Sequence, residues 1–239
     1  MRTGMISLLA AAAFAGTASA QLYVNNDETA SRYSPGAGAG TTPRITFDDV
    51  QIPLDRLAGA TGINVTSVTF GIRRSATANA SDLSLYYATT DGASLGPAVP
   101  SITQFGTFSL EPLDNAGFTT EIFTIGNGVD TLFTVDLDFN DYDAGTTDYD
   151  NAGTFFIGLQ FGEVNPTGTP NGWRITQGPD VNDDNFWVYD PTDDAVSFLV
   201  FSSGLAGEFY LVVEGTPIPA PGGAALLAAG GLLAVRRRR

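Results

Sequence analysis

The strongest constraint on this chain is a two-residue rhythm. Val68, Phe70 and Ile72 alternate with Ser67, Thr69 and Gly71, so one face of an extended segment is apolar and the other is not. That is the pattern of a half-buried strand and is incompatible with the 3.6-residue period of an amphipathic helix. Thr66 falls in phase with the apolar set and Val65 with the opposite one. The same alternation recurs at Leu83, Leu85 and Tyr87, at Phe133, Val135, Leu137 and Phe139, at Phe155, Ile157, Leu159 and Phe161, and at Phe209, Leu211 and Val213. Further apolar runs lie at 45–50, 118–125, 173–176, 186–189 and 198–201, which brings the count to about ten strands. Turn residues separate the runs, including Gly126-Asn127-Gly128 and Asn171-Gly172. Only residues 54–58 hint at a helical turn. Many short strands with no fixed-period repeat imply an all-β chain, a single β-sandwich of jelly-roll-like type over 45–215. Residues 21–44 are expected to hold an N-terminal strand and a flexible loop, the latter in the Gly/Ala/Thr-rich stretch 34–43.

Composition removes whole classes of chemistry. The 239 residues contain no Cys and no His, which excludes disulfides, the usual zinc ligand sets, thiol nucleophiles and every His-based catalytic dyad or triad. All 11 basic residues are Arg, so no Lys is present to act as a base. No G-x-S-x-G elbow or phosphate-cradling loop occurs. Six arginines stand against all 26 acidic residues between positions 21 and 216, a formal charge of −20 for that body. Such a surface repels nucleic acid and attracts cations.

Both ends read as addresses. Residues 1–20 carry Arg2, an uncharged stretch and then Ala18-Ser19-Ala20, the small-residue pattern of a secretory signal peptide, so cleavage is expected before Gln21. Residues 216–239 comprise the alternating prolines Pro217, Pro219 and Pro221, an apolar run, and Arg236, Arg237, Arg238 and Arg239. The 18 uncharged residues 218–235 would rise about 27 Å as a helix, near the lower limit for a bilayer core of roughly 30 Å. Terminal arginines favour a cytoplasmic tail, leaving the folded body outside.

This tripartite tail resembles the PEP-CTERM sorting domain of bacterial envelope proteins, with Ala220 where the usual Pro-Glu-Pro core has Glu. The resemblance covers only the last two dozen or so residues. It implies an inner-membrane span before processing, an exosortase-type membrane protease as partner, and delivery to the cell surface or the extracellular matrix. It implies no activity.

Three kinds of candidate site lie in the body. The acidic segment 136–143 begins D-x-D-x-N like a calcium loop, but its sixth position is Asp141 and its twelfth is Thr147, where Gly and Glu are required. The segment 180–185 is a second near miss, with Asn185 sixth and Pro191 twelfth. Asp141, Asp143, Asp180 and Asp184 are therefore the candidate ligands of a non-EF-hand calcium site, set against a reading as solvated strand faces and Asx-rich turns. Trp173 and Trp187 are candidate platforms for stacking on sugar rings of an extracellular polysaccharide, set against core packing. Paired carboxylates for glycoside hydrolysis are so numerous that no pair stands out. The expectation is an exported structural or adhesive surface protein that is not an enzyme, with a carbohydrate-binding module as the alternative and a glycoside-active enzyme a distant third.

Overall fold

The computed structural model describes residues 19–26, 32–35, 44–75, 82–89, 102–110, 118–139, 152–162, 171–176, 185–200 and 208–220. In chain order the elements are β1 (Ala20–Asn25), β2 (Arg32–Pro35), β3 (Ile45–Pro53), α1 (Leu54–Leu57), β4 (Ala60–Ser75), β5 (Asp82–Ala88), β6 (Thr103–Ser109), β7 (Phe118–Gly126), β8 (Phe133–Asp136), β9 (Ala152–Phe161), β10 (Gly172–Thr176), β11 (Asn185–Asp190), β12 (Ala195–Val200), β13 (Glu208–Phe209) and β14 (Leu211–Pro219). They form two antiparallel sheets, one of eight strands and one of six. The six-stranded sheet runs β12-β11-β3-β9-β5-β6. The eight-stranded sheet runs β1-β14-β4-β10-β13, with β7 and β8 on the other edge of β4 and β2 on β10. The chain crosses repeatedly from one sheet to the other, as a sandwich requires.

The sheets close over one interior. Val68, Phe70, Ile72, Leu211, Val213 and Trp173 from the first sheet meet Val50, Ile52, Leu83, Leu85, Phe155, Ile157 and Leu159 from the second, all buried. Aromatic rings fill its centre, where Tyr87 stacks on Phe133 at 4.3 Å and Phe105 tilts against the same ring at 4.7 Å. A smaller cluster, Ile45, Phe47, Ala88, Phe156 and Trp187, is buried on the opposite face of the six-stranded sheet. Strand β9 is consequently buried on both faces.

The sandwich has more strands than the ten runs counted: β1 is the N-terminal strand expected within 21–44, the run at 209–213 is divided between β13 and β14, and β2 and β6 carry too little regular alternation to register. In β6 the reason is a bulge. Leu85 pairs with Gly106 and Tyr86 with Gln104, so Phe105 is an extra residue, and Phe105 and Phe108 both pack inward despite being three apart. A second bulge corrects the expected faces of β4. Glu214 pairs with Ser67 and Gly215 with Val65, leaving Thr66 extra. Ile63 and Val65 therefore face the core before the bulge, and Val68, Phe70 and Ile72 after it. Phe139, expected inward, is 44% exposed.

The expected turns at 54–58 and 126–128 are both present. Helix α1 is a single turn ending at Ala58 with φ 50 and Gly59 with φ 80. Gly126 has φ 87, and an added Cβ there would lie 2.1 Å from the Thr66 carbonyl oxygen. The Asn127 side chain accepts from the N–H groups of Val129 and Asp130, an Asx turn in the excursion between β7 and β8, which follow one another in the same direction along β4.

The strands also extend beyond the expected body of 45–215. At one end β1 and β2 belong to the eight-stranded sheet, and β2 includes Ser34 and Pro35 of the stretch expected to be loop. At the other end β14 continues through Pro219, so the first four residues of the expected tail, Thr216 to Pro219, are strand residues.

Candidate functional site

The residues that border the two expected addresses pair in the eight-stranded sheet. Strand β1 begins at Ala20, the last residue of the expected A-x-A signal, and lies antiparallel to β14 with Ala20 opposite Gly215 and Gln21 opposite Glu214. The first residues of the expected mature chain thus sit beside the strand that leads into the tail.

This pairing is fastened residue by residue. Leu22 is a bulge, since Gln21 pairs with Glu214 and Tyr23 with Val213. Its side chain is 1% exposed, and its carbonyl accepts a 3.0 Å bond from Nη1 of Arg56. Gly215, opposite Ala20, allows the close approach of β4 on its other side and of the Leu22 side chain, because an added Cβ would lie 2.5 Å from the Asn64 carbonyl oxygen and 3.2 Å from Leu22 Cδ1. At the far end of β1 the buried Asn25 donates to the Phe209 carbonyl at 3.0 Å and accepts from Oγ1 of Thr176 at 2.7 Å. The N–H of Phe209 in turn donates to Oδ2 of Asp48 at 3.2 Å. Asp48 belongs to β3, so this polar seam joins the two sheets through the interior.

Strand β14 is flanked on both sides over 211–215, by β1 and by β4, and continues along β4 alone to Pro219, with Pro217 opposite Ile63 and Pro219 opposite Ala60. Two prolines at alternate positions remove two ladder donors, a loss tolerated where a strand has become an edge. Of the named sorting residues, Pro217 and Pro219 are therefore strand residues. Ala18, Pro221 and Arg236 to Arg239 lie outside the described residues. Among the described residues no helix is long and apolar enough to cross a membrane.

The tryptophans do not form a sugar platform. Trp173 is 0% and Trp187 1% exposed. Trp173 stacks on Phe209 at 4.2 Å and donates from Nε1 to the Tyr210 carbonyl, while Trp187 meets Phe156 edge-on at 4.9 Å. Their strands place one ring between the sheets and the other in the outer cluster, so neither offers a face to a ligand. Tyr86 is half-buried, bonds Gln160 through its hydroxyl, and has its phenol pKa raised by burial.

Asp141, Asp143, Asp180 and Asp184 lie outside the described residues. Among the described residues no group of three acidic side chains is arranged to hold a metal. Asp136 is exposed on β8, as the alternation implies, and the backbone of Asp138 forms an isolated bridge with Thr154.

Sequence reasoning missed the seam of Asp48, Asn25 and Thr176. A possible signal was the pair Asp48-Asp49 inside an otherwise apolar run, where a carboxylate must find partners.

No protein-family model matches the chain, and no curated protein matches it. Among solved structures, the cysteine protease and lectin-like domains of Cwp84, a surface-layer-associated protein of Clostridium difficile, align with a TM-score of 0.42 and 8% identity, over 74% of this chain and 33% of that one. The chain thus spans about a third of the length of that neighbour, and a likeness at this level carries no argument about function.

Proposed function

We propose that this is an exported surface protein of structural or adhesive type, a β-sandwich presented outside the cell by its C-terminal sorting tail and handled there by an exosortase-type membrane protease. The observation that supports this reading is the pairing of β1 with β14. An A-x-A cleavage signal leads into one strand, and a Pro/apolar/Arg tail follows the other. With Gln21 opposite Glu214, the expected mature N-terminus lies beside the strand that leads into the tail. A body anchored there stands on the membrane with the rest of its surface turned outward. The charge of −20 over residues 21–216 keeps such a surface hydrated and apart from acidic polymers.

The test is fractionation of cells that make the protein naturally, followed by intact-mass analysis of each fraction. The expected product begins at Gln21 and is recovered from the envelope or the medium, having lost part of the tail. Recovery of the full 239-residue chain from the cytosol would sink the proposal.

A further inference from the structure

We infer that the tail is cut on the C-terminal side of Pro219, and that Pro217 and Pro219 serve the sandwich as strand residues rather than the protease as an accessible recognition stretch. This rests on the sorting reading above and adds the position of the cut. A protease binds its substrate as an extended segment free of other partners. Thr216 to Pro219 are already extended but committed to β4, with Thr216 opposite Asn64, Pro217 opposite Ile63, Ile218 opposite Gly62 and Pro219 opposite Ala60. Thr216, Pro217 and Ile218 are each partly buried, and Pro219 is the first exposed residue. The pairing partner is no loose edge, because residues 62–65 of β4 are held on their other side by β8. Gly62 fits closely there, an added Cβ lying 2.9 Å from the Val135 carbonyl oxygen.

Beyond Pro219 the chain has only Ala220 and Pro221 before the glycine-led apolar run. Two extended residues span about 7 Å. Ala220 is the first residue past the ladder with β4, and so short a connector would hold a folded sandwich close against the membrane surface. Cutting within the connector leaves β14 whole. Cutting before Ile218 requires the end of the strand to be peeled from β4 first, and then removes ladder contacts from the mature domain.

Two measurements on the full chain test this. In the first, the C-terminal residue of the naturally released protein is read by mass spectrometry, and the expected terminus is Pro219 or later. In the second, the purified precursor in detergent micelles is treated with a proline-specific endoprotease, which has the Pro217–Ile218 and Pro221–Gly222 bonds available in one substrate. Native pairing should slow cutting after Pro217 by about a hundredfold relative to cutting after Pro221, since it must wait for local opening, and denaturant should abolish the difference. Equal rates in the native protein, or a natural terminus at or before Pro217, overturn the inference. A chain that stays uncut in cells overturns the sorting reading and this inference together, and protection of Pro217–Ile218 in micelles tells that case apart from a strand that fails to protect.

Discussion

The carboxylate of Asp48 on β3 accepts the backbone N–H of Phe209 on β13 at 3.2 Å, across the interior between the two sheets. Asp48 is 1% exposed and Phe209 is fully buried. The carbonyl of the same residue is held by Asn25, so Phe209 of this two-residue strand is fixed by side chains at both of its backbone polar atoms. Replacing Asp48 with Ala strands a buried donor and should cost about 1–3 kcal/mol in urea unfolding. Asp48→Asn keeps an acceptor and should cost less. An Ala variant as stable as the parent would mean the bond contributes nothing.

Core substitutions test the inward faces. Leu85, Ile157 and Leu211 are each fully buried, and their Ala variants should lose about 2–5 kcal/mol each. Trp173→Ala and Trp187→Ala should lose about 3–5 kcal/mol, with Phe restoring part of it. Trp variants of undiminished stability would return these rings to the surface and revive the sugar-platform reading.

The division between what was legible and what was not follows from the bulges. Alternation in β5 and β9 marks the buried residues correctly because both strands keep one phase along their apolar positions. In β4 the extra Thr66 shifts the phase, so a strict two-residue reading puts Val65 on the wrong face. In β6 the extra Phe105 hides the strand altogether, since inward residues three apart break the two-residue alternation. Pairing across strands decides such positions, and no single strand carries that information. The tryptophans failed as site residues for a related reason. Trp187 lies opposite Phe186, as alternation required, but a second cluster buries that face too. Nor could the sequence show that the first four residues of the expected tail pair with β4, a partner some 150 residues away in sequence.

Gly158 tests that second cluster. It pairs with Phe47 in the β3–β9 ladder, and an added Cβ would lie 2.5 Å from Phe47 Cε1 and 2.8 Å from Ile45 Cγ2. The glycine allows the Phe47 ring to lie against the strand. Gly158→Ala should therefore destabilise by about 1–3 kcal/mol through overpacking, and Phe47→Leu in the same chain should recover part of the loss. A neutral Gly158→Ala would show that the ring has room to move.

The hairpin of β11 and β12 gives a prediction in pH. Asp190 closes β11, and its carboxyl pKa lies below the usual aspartate value, chiefly because Oδ1 accepts the Thr192 N–H at 3.0 Å, then through the Thr192 side chain, and to a smaller degree because Arg44 Nε bonds Oδ2 at 2.7 Å. A group depressed in the folded state contributes stability above its unfolded pKa and loses it as pH falls through the folded one. The contribution is therefore present at neutral pH and disappears in the acid range. Asp190 is a surface group, so the direct reading is its own titration by carboxyl-carbon NMR, with a midpoint expected below that of an unstructured aspartate. Arg44→Gln should raise that midpoint only part of the way, and high salt should act like the variant by screening Arg44 while leaving the Thr192 N–H in place. Full return to the unstructured value in Arg44→Gln would assign the depression to the ion pair and remove the turn from the account.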